Sequence, residues 1–248
     1  MPEHFDIYMI ILIGLVSILY ASVGHGGASG YLAVMAIWAL PTDYMKTTAL
    51  ILNIVVSGIS FSQYYIKKYF NWKLFYPFAL ASIPFAYIGG GIHLDPVLYK
   101  KILGVILLLP VIRLSGIPIP IKKVKLELNI YIALLIGSVI GFLSGMLGIG
   151  GGIILSPIIL LLGWGSAKQT AAVSALFILV NSLAGLLNNK GWSNIDKVLT
   201  YETYILLGVV VGGGILGAWW GSSKAQETWI KRLLAIGLGI ASIKLIFA

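Results

Sequence analysis

The chain has 248 residues, of which 59% are hydrophobic and 10% charged, against about 25% charged in an ordinary soluble domain. That composition excludes a soluble globular protein and points to an all-α polytopic membrane protein. The formal net charge of +9 is therefore read first as a topology signal rather than as nucleic-acid binding, and the absence of cysteine excludes disulfides, thiolate metal sites and thiol nucleophiles.

Ten apolar segments follow one another along the chain. The first five are at about 5–23, 28–40, 46–66, 74–94 and 97–117; the second five are at about 129–147, 152–163, 169–188, 201–220 and 230–248. The amino terminus lacks the positive stretch of a cleaved signal peptide, so residues 7–23 read as a retained first span. A crossing takes about 20 residues, which gives eight full spans and two short ones, 28–40 and 152–163, that either cross thinly or re-enter. Between the two sets of five lies a linker with Pro118, Pro120 and three lysines, Lys122, Lys123 and Lys125. Residues 1–117 thus form a first repeat, 118–128 a basic cytoplasmic linker and 129–248 a second repeat within one membrane domain.

Each short segment directly follows a run of glycines. Ser22-Val23-Gly24-His25-Gly26-Gly27-Ala28-Ser29-Gly30 precedes the first, and Gly145-Met146-Leu147-Gly148-Ile149-Gly150-Gly151-Gly152 precedes the second. Glycine runs break helices and bare the backbone amides, which membrane proteins tolerate only beside protein or a watery cavity. Gly24 and Gly148 are 124 residues apart, and Lys46 and Lys168 are 122 apart, as two homologous halves related by a pseudo-twofold would give. Two broken helices in matching positions of two halves are the sequence mark of a transporter's substrate site.

If all ten segments cross, eleven lysines and arginines fall on the linker side and five on the other (Lys46, Lys100, Lys101, Lys190 and Lys197). Positive charge collects in the cytoplasm, so the linker is expected there, with both termini outside a cell (inner) membrane. Five crossings per half also invert one half against the other and let the two glycine loops approach from opposite faces. Four crossings per half would make the repeats parallel instead.

The second-half motif resembles that of the sulfite exporter TauE/SafE family of membrane permeases. The resemblance rests on Gly145, Gly148, Gly150, Gly151, Gly152 and Pro157, followed by the polar helix Thr170 to Gly185 with Ser174, Asn181 and Ser182. It extends over nearly the whole chain and is sharper in the second half, because Gly24-His25-Gly26-Gly27 departs from the triple glycine and Ala33 stands where a proline is expected. The resemblance implies export of small sulfur-containing anions such as sulfite or organosulfonates.

The residues themselves agree with an anion. Glycine turns leading into helix starts gather backbone N–H groups at the positive end of the helix dipole, so Gly24, Gly26, Gly27, Gly148, Gly150, Gly151, Gly152 and Ser29 are candidate substrate contacts. Close helix packing is the competing explanation for glycines, and it is preferred for Gly89–Gly91 and Gly212–Gly214. His25 either donates to an oxyanion and carries a coupled proton, or faces water at a loop tip. Asn53, Ser57 and Ser60 share one helix face, and Ser174, Asn181 and Ser182 repeat the pattern; such groups bind solute or join helices. Lys46 and Lys168 are expected to snorkel to the headgroups.

The expected function is a secondary transporter, an exporter of sulfite-like anions, working by alternating access around the two loops. It has no cofactor, no metal and no catalytic residue; its partners are a small anion, the bilayer, a coupling proton or ion and a second copy in a homo-oligomer, with no nucleic acid. The alternative is a channel or carrier for another small anion or a cation. An intramembrane enzyme would need a base, metal cluster or Gly-x-Ser-x-Gly elbow, none of which is in the sequence.

Overall fold

The computed structural model describes residues 6–114, 128–188 and 195–223, with Ser242, Ile243 and Ile246. Most of the basic linker and most of the tenth apolar segment therefore lie outside the described residues. All regular structure among the described residues is helical: α1 (Ile7–Ala21), α2 (Ala28–Ile37), α3 (Thr42–Ile66), α4 (Trp72–Gly90), α5 (Pro96–Leu114), α6 (Ile130–Leu147), α7 (Gly152–Leu161), α8 (Ala167–Leu187), α9 (Ile195–Val198) and α10 (Tyr201–Ser223). The expected segments match these helices to within a few residues, except for the single turn of α9, which the hydropathy pattern does not mark.

Many polar side chains are buried beside an apolar core, and large apolar side chains are exposed on the outside, as a soluble domain would avoid. Ser17, Thr47, Thr48, Asn53, Ser57, Ser60, Ser82, Ser144, Ser174, Asn181 and Ser182 are buried, whereas Tyr131, Leu135, Leu80, Leu216 and Trp219 are exposed. Four helices, α3, α6, α8 and α10, are long and apolar enough to cross a bilayer by length and composition. They are the ones that qualify among the described residues, and most of the tenth expected segment lies outside these. α1 has 15 residues and ends where the glycine loop begins, and α4 runs unbroken through Pro77 and Pro84. The two short segments are α2 and α7, of ten residues each, or about 15 Å, half a hydrocarbon core.

The two short helices start differently from α1, α4, α6 and α8, while α3 follows Pro41, which also supplies no side-chain cap. Asp6, Asn71 and Asn129 cap α1, α4 and α6 with their side chains, and Ser166 with Gln169 forms a capping box on α8. Such caps satisfy the free amides of the first turn. α2 and α7 instead begin at Gly27 and Gly151, in the left-handed region at φ 98° and 77°, with no side-chain cap.

Three seams hold these helices. α6 lies along α4 in parallel, with Gly137, Gly141 and Gly145 set against the carbonyls of Phe78, Ser82 and Ala86 in a constant register. α10 lies along α1 in parallel, with Gly213, Gly217 and Gly221 against the carbonyls of Gly14, Ile18 and Ser22. Each seam is a glycine-every-fourth-residue stripe that brings backbones into contact where any side chain would part them. A Cβ at Gly145 would sit 2.0 Å from the Ala86 oxygen. α3 and α8 cross the centre antiparallel: Asn53 meets Ser182 at one end, and Tyr64 packs with Ala171 and Ala172 toward the other. Gly89 and Gly90 of α4 touch α6 and α8 backbone to backbone, the packing role expected of that triplet.

Candidate functional site

The two glycine loops meet at the side chain of Asn53, near the middle of α3. A Cβ on Gly26 would lie 2.0 Å from Asn53 Oδ1, and a Cβ on Gly150 would lie 2.3 Å from Asn53 Nδ2. The carboxamide is therefore sandwiched between the loops, with its oxygen toward the first and its nitrogen toward the second. Oδ1 accepts from the Ala28 amide at 3.2 Å, at the start of α2, and Nδ2 donates to Ser182 Oγ on α8 at 2.9 Å. Asn53 and Ser182 are both buried. One carboxamide thus ties the start of α2 and the long helices of both sequence halves together.

Each loop also leans on a long helix. Gly24 packs on the backbone of Ala171 in α8, where a Cβ would meet its oxygen at 2.5 Å, and Gly148 packs on Lys46 in α3, with a Cβ 3.0 Å from Cγ. In both cases that helix belongs to the other sequence half. Tyrosine hydroxyls satisfy the carbonyls just ahead of both loops: Tyr64 donates to Ser22 at 2.9 Å and Tyr99 donates to Leu147 at 2.8 Å. Gly24, Gly27, Gly148, Gly150 and Gly151 all have positive φ, a conformation that favours glycine. Among the described residues no acceptor meets the amides of Gly26, Gly27, Gly150 or Gly151, so the loops that flank Asn53 carry four unpaired N–H groups.

His25 links the first loop to the second half. Its Nδ1 lies 3.1 Å from the Val23 carbonyl and its Nε2 lies 3.0 Å from Ser156 Oγ. A carbonyl can only accept, so Nδ1 carries the proton and Nε2 of the neutral ring accepts from Ser156. Ser156 is 2.7 Å from Ser174 Oγ, and with its own proton given to His25 it accepts from Ser174. The chain His25–Ser156–Ser174 therefore passes from the first loop through α7 to α8. The ring of His25 also sits edge-on to Tyr20 at 6.4 Å. Ser156 is a site residue that the sequence reading passed over. Its signal was its position one helical turn after Gly152, on the same face of α7.

The other candidates take up separate positions. Ser29, in the first turn of α2, donates to Tyr20 Oη at 2.9 Å. Asn181 donates to the Phe177 carbonyl at 2.8 Å, and its Oδ1 is buried without a partner among the described residues. Ser57 is buried but donates at 3.3 Å to Ile54 within its own helix, and Ser60 Oγ has no partner there. Gly152 packs on Ile178, on the same face of α8 as Ser174 and Ser182. Two buried side chains lie beside the left-handed helix starts: Tyr31 packs on Gly27, and Ser144, whose hydroxyl has no partner among the described residues, packs on Gly151.

The lysines correct the snorkelling expectation unequally. Lys46 is only 5% exposed; its ammonium donates inward to the carbonyls of Gly90 at 3.0 Å and Ile92 at 3.4 Å. It caps the last turn of α4, where carbonyls are left free and a cation suits the dipole. Lys168 is half-buried, donates to Tyr69 Oη at 3.1 Å and lies over the same ring at 4.8 Å. Neither reaches outward, because each is held by a partner on a neighbouring segment.

The family described as sulfite exporter TauE/SafE matches residues 9–245. The chain is similar to a probable membrane transporter protein of Sinorhizobium fredii, 36% identical over 241 residues, covering 94% of this chain and 95% of the relative. It is also similar to probable membrane transporter proteins of Methanocaldococcus jannaschii, 30% identical over 73% of this chain and 71% of the relative, and of Bacillus subtilis, 28% identical over 82% and 86%. No solved structure matches. A match across almost the whole length, together with apolar helices, makes this a multi-pass membrane protein of transport rather than catalysis: the chain belongs to the sulfite exporter TauE/SafE family.

Proposed function

We propose that the chain is a secondary transporter that exports small sulfur-containing anions, such as sulfite or organosulfonates, by alternating access around the two glycine loops. The observation that carries this reading is the convergence of both loops on Asn53, with the amides of Gly26, Gly27, Gly150 and Gly151 unpaired. Unpaired amides at two helix starts favour an oxyanion, whose oxygens accept several N–H bonds at once. The described residues bring no cluster of carboxylates or metal ligands together, so the polar groups available to a solute there are mostly donors or hydroxyls.

The pattern of seams supports the two-half, inverted arrangement that alternating access uses. α1 pairs with α10 as α6 pairs with α4, and α3 opposes α8. Each loop rests on the opposite half, so rocking one half against the other shifts each loop against the helix it rests on and moves the second loop relative to Asn53. In this reading the linker lies in the cytoplasm, and His25, with Ser156 and Ser174, is the carrier of any coupled proton.

The test is reconstitution of the purified chain into liposomes with radiolabelled sulfite inside. Efflux above that of empty vesicles, competed by methanesulfonate and indifferent to a sodium or potassium gradient as cargo, is the expected result. Flux of sodium or potassium with no sulfite, thiosulfate or acetate movement would overturn it in favour of a cation pathway.

A further inference from the structure

The carboxamide of Asn53 does at the start of α2 what a bound oxyanion would do. Its Oδ1 accepts the Ala28 amide at 3.2 Å, the kind of first-turn N–H that anions take at helix starts. Gly26 and Gly150 on either side leave room for this one planar group and nothing larger, since a Cβ on either would collide with it. At the start of α7, Ser144, whose buried Oγ has no partner among the described residues, sets its Cβ against Gly151. Buried hydroxyls are normally paired, so this one has a hydrogen bond to offer a solute. At the other end of the Asn53 carboxamide, Nδ2 holds Ser182 of α8 at 2.9 Å. A group that fills the site and also joins α3 to α8 couples occupancy to the contact between halves.

We propose that Asn53 is a built-in stand-in for the substrate anion: its carboxamide oxygen occupies the place of one oxyanion oxygen, and its bond to Ser182 latches the two halves until an incoming anion displaces it. The proposal rests on the anion reading above. Displacement moves Oδ1 off the Ala28 amide, hands that amide and the four unpaired glycine amides to the solute, and releases Ser182. A neutral amide suits this role because its oxygen binds the amides less strongly than a charged oxygen does, so an anion wins the exchange. A permanent carboxylate at the same position would not leave.

The test uses Michaelis constants for methanesulfonate flux in liposomes together with thiol labelling. Because the native chain has no cysteine, Ala28→Cys places a single reporter thiol at the start of α2. Asn53→Ser and Ser182→Ala are expected to lower KM about 10-fold, since the competitor or its anchor is gone, and to lower kcat as the halves lose their latch. Asn53→Asp is expected to abolish flux, at least 100-fold, while eluting as a folded protein. Labelling of the reporter thiol is expected to quicken about 10-fold with Asn53→Ser, with Ser182→Ala, and with methanesulfonate added to the chain that carries Ala28→Cys alone. A rise in KM with Asn53→Ser would make Asn53 an ordinary substrate contact and overturn the latch. Unchanged labelling in both variants, with flux intact, would overturn it as well. If the native chain carries neither methanesulfonate nor sulfite and the reporter thiol ignores both, the anion reading itself has failed, and displacement fails with it.

Discussion

The two glycine loops have nearly the same shape and different chemistry. Gly24 and Gly148 both turn left-handed, as do Gly27 and Gly151, and both loops end in a ten-residue helix without a side-chain cap. Between those glycines the first loop carries His25, half-buried and bonded to Ser156, where the second carries Ile149, buried in the core. The second loop bends left-handed again at Gly150, at φ 72°, whereas Gly26 does not. Helix-start amides are thus supplied twice, but the titratable group only once. In the proposed mechanism the backbone serves binding in both halves, and His25 gives one half a role in proton movement that the other lacks.

Alanine scanning of the loop glycines would break or sharpen that comparison most. Gly24→Ala combines positive φ with a Cβ 2.5 Å from the Ala171 carbonyl, which cannot swing away. Gly150→Ala combines positive φ with contacts of 2.3 Å to Asn53 and 2.8 Å to Ile178. Each is expected to cost about 2–4 kcal/mol, from left-handed strain of about 1–2 kcal/mol plus overpacking, and to cut the yield of folded protein. Gly148→Ala meets the Lys46 stem at 3.0 Å and its carbonyl oxygen at 3.2 Å, looser contacts than at Gly24 or Gly150, and Gly26→Ala has no left-handed strain; both are expected to fold more readily, with Gly26→Ala losing flux through Asn53. Thermal unfolding in detergent measures the order. Equal losses at all four positions would mean that the loops are merely spacers.

The next contrast exchanges the side chains that differ. His25→Ile removes the imidazole from Ser156 and gives the first loop the second loop's residue. A net hydrogen bond contributes about 0.5–1.5 kcal/mol, so stability is expected to fall by about 1 kcal/mol. Flux is expected to fall about tenfold or more and to lose its dependence on a pH gradient, read by sulfite efflux at opposed pH values. Retention of that dependence would move proton coupling away from the first loop.

Much of this arrangement was legible in the sequence, and the rest was not for a definite reason. The glycine runs, the two short helices and the polar faces of α3 and α8 follow from local chemistry, because helix breaking, length and periodicity are properties of neighbouring residues. That Asn53 serves both loops is not local: it depends on α3 and α8 crossing antiparallel, which places position 53 of one half against position 182 of the other. Ser156 was missed for the same reason, since its partners are His25 and Ser174 on two other elements. Ser57, chosen by helical spacing from Asn53, bonds within its own helix, which periodicity alone cannot distinguish from a contact across the centre. Of the eight full spans expected, four are matched by helices long and apolar enough to cross among the described residues, and most of the tenth segment lies outside them.

The lysines give the smallest and most asymmetric contrast. Lys46 and Lys168 sit at matching positions near the starts of α3 and α8, yet Lys46 lies beneath Gly148 with its charge buried on the Gly90 and Ile92 carbonyls. Lys46→Met keeps the stem under the loop and removes the ammonium, leaving the end of α4 uncapped. A lost hydrogen bond to a charged group is worth about 1.5–3 kcal/mol, so a loss of about 2 kcal/mol in unfolding free energy is expected, with reduced flux as the second loop loosens. Lys168→Met gives up one bond and one ring contact at a half-buried site, where solvent already screens the charge, and a loss of under about 1 kcal/mol is expected. Denaturant titration of both variants in the same detergent compares them. A larger loss at Lys168 would mean that the bond to Tyr69 outweighs the buried cap on α4, and the asymmetry between the two lysines would be reversed.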